Sequence, residues 1–256
     1  MAHGFKSVVN TLMREIFLNK LRPGEKLSAE RELAKKMGID RTSLRIALKQ
    51  LEAMGVLEIR QGDGIYVKNY MKNAGLDFLR LLFLQQDTED GLVIDEYIID
   101  EVMEFWVEFM PLMIRVALRR ITPMEIKRFL DILNEELESL SRGDVKMVIE
   151  SELLQQELIA EATDNLLFLL LSNSTRPMRK KLMELFVDKI DKPTMQKHIE
   201  IKRALLRSVL SSDPTGPETI VDVHRKMLRF YRDLMRKSWR AHPGDVNLVR
   251  RFMDAG

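Results

Sequence analysis

The chain has 256 residues, 45% hydrophobic and 31% charged, enough to bury one large core or two ordinary ones and too apolar for a disordered chain. It has no cysteine, which excludes disulfides and thiolate-held metals, and its longest apolar run, Leu166 to Leu171, is far too short to span a membrane. The formal charge of +2 hides an asymmetry: residues 1–70 hold thirteen Lys or Arg against eight Asp or Glu, the rest twenty-eight against thirty-one. A basic start before a mildly acidic remainder suggests a polyanion partner for the first part only. The start Met1-Ala2-His3-Gly4 has no signal-peptide pattern, so a cytoplasmic protein is expected.

In chain order, Phe5, Val8, Val9, Leu12, Met13, Ile16 and Phe17 recur at helical spacing and predict a first helix ending before Arg22-Pro23-Gly24. Ser28 is expected to cap a second helix, with Glu30 in its first turn and Leu33 and Ala34 facing inward; Gly38 suits the left-handed position closing it. Asp40 then caps a third helix over about 41–54, with Leu44, Leu48 and Leu51 inward. Two short helices joined through a glycine make a helix-turn-helix. Residues 56–60 and 65–68 read as strands, and Gly62-Asp63-Gly64 as the hairpin between them. A linker over 71–75 follows. Helical patterns then cover about 76–86, 92–120, 123–141, 144–163, 165–190, 193–212 and 217–239. Pro111 is expected to kink or break the long helix around it.

The expected architecture is therefore mainly α. A winged helix-turn-helix (three helices plus a two-stranded wing) over 1–70 precedes an all-α helical bundle over 76–240, with a tail over 241–256. Arg41, Arg45 and Lys49 lie four residues apart on the outward face of the third helix. Thr42 and Ser43 sit at its N-terminal end, where a recognition helix meets base edges and phosphates. An arginine fork can bond O6 and N7 of guanine together.

The string Pro23-Gly24-x-x-Leu27-Ser28-Ala29-Glu30-Arg31-Glu32-Leu33-Ala34, then Gly38-x-x-Arg41-x-x-Leu44-Arg45-x-Ala47-Leu48, then Gln61-Gly62-x-Gly64-x-x-Val67, resembles the GntR family of transcriptional regulators. The resemblance implies operator contacts from Arg31, Arg41, Thr42, Ser43 and Arg45, with Gln61 and Gly62 from the wing. Asp40 takes a slot often held by Ser or Thr; it can cap, but its charge would repel a phosphate.

The remainder resembles the FadR-type effector domain of that family, a bundle of six or seven helices. Many such domains hold a divalent metal through one aspartate and three histidines. By that resemblance Glu152, Gln156, Lys202 and His224 fall in the four slots, with His198 one turn before Lys202. A lysine is protonated and repels a cation, so no metal and no cofactor is expected. Three segments look like the fatty-acid-responsive FadR-type members: 73–79, Ile114-Arg115-x-Ala117-x-Arg119, and Pro243-Gly244-Asp245. Trp106, Lys226 and Phe230 depart from that pattern, standing where an arginine, a serine and a tryptophan would. Sixteen methionines suit an adaptable apolar pocket or a plain core. Trp106, Arg115, Asn173, His224 and Tyr231 are the residues taken as effector-pocket lining.

The expected function is a homodimeric repressor or activator that binds double-stranded operator DNA and responds to a small molecule, an acyl-CoA or fatty acid. The alternatives are a metal-dependent, organic-acid-responsive regulator and a DNA-binding protein with no effector. The sequence carries no HExxH, no Gly-rich phosphate loop, no thiol and no serine–histidine–acid constellation, so no enzyme is expected.

Overall fold

The computed structural model describes residues 2–84, 96–210 and 216–240, and the chain divides into two compact units, Met1–Ile94 and Asp95–Gly256. The tail expected over 241–256, with its Pro243 motif, lies outside the described residues.

The first unit opens with α1 (Ala2–Phe17), whose Val8, Val9, Leu12, Met13, Ile16 and Phe17 are all buried, as their spacing predicts. Helix α2 (Glu30–Met37) is preceded by Ala29 at its cap, with no side-chain capping bond. Ser28 does not cap it; Glu30 and Glu32 in the first turn favour the positive end of the helix instead. Gly38 closes α2 in the left-handed conformation. Helix α3 (Arg41–Ala53) is capped by Asp40, which accepts from the Ser43 amide at 2.9 Å and from Ser43 Oγ at 2.6 Å. Its Leu44, Ala47, Leu48 and Leu51 are buried against α1 and α2, leaving the opposite face open.

Strands β1 (Leu57–Arg60) and β2 (Gly64–Val67) pair antiparallel, Leu57 with Val67 and Ile59 with Ile65, around a tip at 61–63. The segment after α1 adds to this wing. Gly24 and Leu27 donate to the Val67 and Ile65 carbonyls at 2.8 Å each, and the Val67 amide donates to the Glu25 carbonyl at 2.9 Å. The wing is thereby clamped along its second edge, a pairing that a four-residue polar stretch gives no periodic signal for.

The expected linker is not one. Residues Tyr70–Asn73 form a short helix, α4, and α5 (Leu76–Leu84) buries Phe78, Leu82 and Phe83. Phe17, Tyr70 and Phe78 form an aromatic trio with centroids 5.1–6.4 Å apart, so α5 belongs with the DNA-binding unit and the division falls near residue 95 rather than 76. Gly55 fixes this return. Its φ is +77°, and a Cβ there would lie 2.2 Å from the Asn73 carbonyl oxygen.

The second unit is helical throughout its described residues: α6 (Glu96–Ala117), α7 (Pro123–Arg142), α8 (Val145–Ala162), α9 (Leu166–Val187), α10 (Lys192–Leu210) and α11 (Pro217–Arg240). Pro111 lies inside α6 and does not break it, and Pro177 lies likewise inside α9. A capping box between Thr122 and Glu125 starts α7, Asp144 caps α8 and Asn165 caps α9. Helix α8 is central, with α6, α7 and α9 all packed on it, and accordingly buries residues around much of its circumference. Phe129, Leu133, Val148, Leu158, Met195 and Ile199 belong to one hydrophobic cluster joining α7, α8 and α10.

Gly55→Ala is expected to destabilise the first unit by about 2–4 kcal/mol, through the left-handed backbone and the clash with the α4 carbonyl. Hydrogen exchange on the whole chain should show amides of 2–84 losing protection while those of α6 to α11 keep it.

Candidate functional site

The outward face of α3 presents Arg41, Thr42, Arg45, Ile46 and Lys49, all exposed, while Ser43 is half-buried with its hydroxyl donated to Asp40. That pair of bonds holds the Asp40 carboxyl below its usual range. Arg31 stands exposed on α2, and Gln61 and Gly62 at the tip of the wing. Arg45 Nε donates to Glu30 Oε2 at 2.8 Å and Arg41 lies 3.9 Å from the same oxygen, so one α2 carboxylate collects two recognition-helix arginines. Lys49 pairs with Glu52 at 2.7 Å. All these pairs are largely exposed and weak enough to exchange for phosphate or base.

Residues outside the charge stripe share this surface. Ile46 is 53% exposed on the recognition helix, where its apolar end matches a thymine methyl. On the wing, Arg60 stacks over Tyr66, with Cζ 4.3 Å from the ring centroid, and Lys26 bonds Asp63 at 2.9 Å. The sequence holds no signal for Arg60 and Lys26 until the clamp on β2 brings them together.

The second unit contains a partly open cavity of about 120 Å³, the liquid volume of about four waters. Its walls are mostly apolar side chains from α6 to α11, among them Met110, Ile114, Ile159, Met183, Leu206 and Met227. Of the residues expected to line a pocket, His224 and Tyr231 do so. Arg115 instead forms a two-pronged pair with Glu218, and Asn173 is exposed. Trp106 is buried beside Arg179 rather than on the cavity wall.

A polar cluster interrupts the apolar wall. Lys202 of α10 donates to Glu152 Oε1 at 2.5 Å and to Gln155 Oε1 at 2.7 Å, and lies 3.6 Å from Glu136. Gln155 Nε2 in turn donates to Glu136 Oε2 at 2.7 Å. Burial pushes the Glu136 carboxyl up to about 8, so at neutral pH it carries a proton. Burial would raise Glu152 too, but the Lys202 ammonium overrides it and holds that carboxylate ionised. The Glu152 carboxylate likewise keeps Lys202 charged against the pull of burial. Burial, then the nearby ammonium, push His224 down to about 4, leaving a neutral imidazole. His198 Nδ1 and the Tyr231 hydroxyl share a hydrogen bond of 2.7 Å at the edge of the same region.

Glu152, Gln156, Lys202 and His224 do not fit a divalent cation. The lysine ammonium is itself the cation that Glu152 binds, and the Gln156 amide oxygen accepts from Arg179 at 2.9 Å. Among the described residues no group of three or more His, Cys, Asp or Glu side chains is arranged to hold a metal, and no helix is long and apolar enough to cross a membrane.

A two-stranded wing behind a capped recognition helix with an arginine face, joined to a helical unit with an internal cavity, defines a DNA-binding regulator of the winged helix-turn-helix class. Residues 5–67 match the bacterial regulatory proteins of the gntR family. Residues 5–67 thus form a GntR-family helix-turn-helix domain, the DNA-binding part of a transcriptional regulator. It is 26% identical over 213 residues to the HTH-type transcriptional regulator Mce2R of Mycobacterium tuberculosis, covering 82% of this chain and 84% of that one. It is 24% identical over 244 residues to a fatty acid metabolism regulator protein of Shewanella amazonensis, covering 92% of each. Among solved structures, E. coli McbR/YncC shares the fold at 15% identity with a TM-score of 0.51, covering 92% of this chain and 98% of that one.

Glu136 has a sign-definite consequence for stability. Its carboxyl titrates near 4.5 when unfolded and near 8 when folded, so the folded chain binds the extra proton. That stabilisation is complete below pH 4.5 and declines as pH rises to about 8, at up to about 1.4 kcal/mol per pH unit. Glu136→Gln should remove this component of the slope, read as the difference between the two proteins in urea unfolding from pH 5 to 8.

Proposed function

We propose that the chain is a cytoplasmic, homodimeric repressor or activator whose operator affinity is set by a fatty acid or fatty acyl thioester bound in the second unit. The cavity carries this reading. It is partly open, mostly apolar, and walled by methionines and branched aliphatic side chains that can repack around a hydrocarbon chain. The name borne by the Shewanella relative points the same way.

Arg31, Arg41, Thr42, Ser43, Arg45 and Lys49 would meet the operator from α2 and α3, with Gln61 and Gly62 from the wing and Ile46 as an apolar contact. Two such helices on a two-fold dimer read a palindrome. The second copy would dock on exposed apolar side chains of α9 and α6: Leu166, Leu167 and Leu170 are 70%, 72% and 53% exposed, and Phe105 and Leu112 are exposed on α6. The ring contact of Phe109 with Phe168 joins the two helices there. Leucines this exposed on adjacent helices suit a self-complementary interface better than water.

Arg45→Ala should weaken specific operator binding by about 1–3 kcal/mol with folding intact. Leu167→Glu should lower operator affinity without touching the recognition helix and shift sedimentation toward monomer. Unchanged operator affinity in Arg45→Ala would contradict the assigned recognition face, and an unchanged dimer in Leu167→Glu the assigned interface.

Saturated fatty acids should raise the melting temperature and change operator affinity. Each added methylene should strengthen binding about fourfold, from about 0.8 kcal/mol of burial, until the cavity is filled. A flat response across chain lengths would overturn the hydrocarbon effector.

A further inference from the structure

Two buried cations stand beside the cavity, and of the two only Lys202 is hydrogen-bonded to a carboxylate. Lys202 has Glu152 at 2.5 Å and Glu136 at 3.6 Å. A ligand carboxylate at that end would be a third acid around one ammonium, inside an apolar wall. Arg179 of α9 is only 3% exposed, yet every hydrogen bond of its guanidinium goes to an uncharged acceptor. These are Gln156 Oε1 at 2.9 Å, the Ser172 carbonyl at 2.9 Å and Ser172 Oγ at 3.1 Å. The carboxylate nearest to it, Glu157, is 4.0 Å away and accepts instead from Arg176 Nε at 2.7 Å.

Two donors are also left over at this spot. Arg179 Nε and the indole Nε1 of Trp106 have no partner among the described residues, and the guanidinium carbon lies 5.9 Å from the Trp106 ring centroid. Each unpartnered buried donor costs about 1–3 kcal/mol, and a buried cation whose counter-ion stands off without a hydrogen bond is poorly compensated. Gln156 separates this group from the cavity: its side chain lines the wall while its oxygen holds Arg179 Nη1.

We infer that Arg179 is the acid anchor of the effector site, and that a ligand carboxylate binds by taking the place of Gln156 Oε1 on the guanidinium, with the Trp106 indole N–H as a second donor. The inference rests on the cavity being the effector site. It selects a free carboxylic acid as the ligand. A phosphate would bring a second charge into a space with one cation, whereas a planar carboxylate matches the guanidinium fork. The amide of Gln156 serves as an uncharged stand-in that keeps Arg179 hydrogen-bonded until the acid arrives.

The test uses full-length protein carrying Trp239→Phe, which leaves Trp106 as its one tryptophan. Decanoate, decanol and decylamine are titrated against it by calorimetry and by indole emission. Decanoate should bind at least tenfold more tightly than decanol and shift the Trp106 emission, with decylamine weakest. Arg179→Met should abolish the advantage of the acid while decanol affinity stays the same. Gln156→Ala, which removes the stand-in and keeps the charge, should tighten decanoate binding; it decides the matter if Arg179→Met does not fold. Equal affinity for decanoate and decanol, an acid advantage surviving in Arg179→Met, or no tightening in Gln156→Ala would each overturn the anchor and leave the hydrocarbon cavity standing. Failure of all three compounds to bind would overturn the cavity reading with it.

Discussion

Lys202 draws side chains of three helices onto one ammonium, and the interior of the second unit is arranged around that attraction. Glu136 comes from α7, Glu152 and Gln155 from α8, and the lysine from α10. Burying a charge this deeply is tolerable only with a counter-charge at close range and the remaining protons hydrogen-bonded. Glu152 supplies the charge, Gln155 a carbonyl, and Glu136 a carboxyl neutral enough to avoid a second negative charge. The network pins α8 between α7 and α10 at the level of the cavity. Removing the lysine alone would leave two acids facing each other, which is why its replacement by an uncharged residue cannot be a neutral change.

The DNA-binding unit solves a smaller version of the same problem. On the proposed reading, the arginines of α3 must be free to reach DNA yet not fold back or bind any polyanion. Glu30 holds Arg45 and touches Arg41 through an exposed pair worth little in water. Such a pair aligns the side chains along α3 and yields to a guanine edge or a phosphate at small cost. The carboxylate also offsets the positive charge of this face, which would weaken non-specific attraction to a polyanion.

Much of this was legible from residue spacing. Leu44, Leu48 and Leu51 gave the inner face of α3, Asp40 its cap, and Thr122 with Glu125 the start of α7, because local chemistry decides those features. The clamp of residues 24–27 on β2 was not legible, since a short polar segment pairs only where a neighbouring edge is available. Nor was the fold-back of α4 and α5: it depends on Gly55 admitting the Asn73 carbonyl and on three aromatics spread from residue 17 to 78. In the second unit His224 and Tyr231 lie on the cavity wall while Arg115 and Asn173 do not. Helical periodicity tells which residues face inward, not which of several inward spaces they meet. Arg179 gave no signal at all, because an arginine in the middle of an amphipathic helix reads as surface.

The thermodynamics of control ask little of such a cavity. A ligand shifts the operator equilibrium only through its difference in affinity between the two states of the protein. A tenfold change in operator affinity requires about 1.4 kcal/mol of that difference, the burial of about two methylenes. The mobile part of the wall is therefore better sought in its methionines, Met110, Met183, Met195 and Met227, than in the lysine network. Moving Lys202 would break charged bonds costing more than the whole switch needs, whereas a methionine that changes rotamer opens or closes a methylene's worth of space at small cost. The charged network thus holds the frame, and the apolar side chains facing it supply a difference of the size that regulation uses.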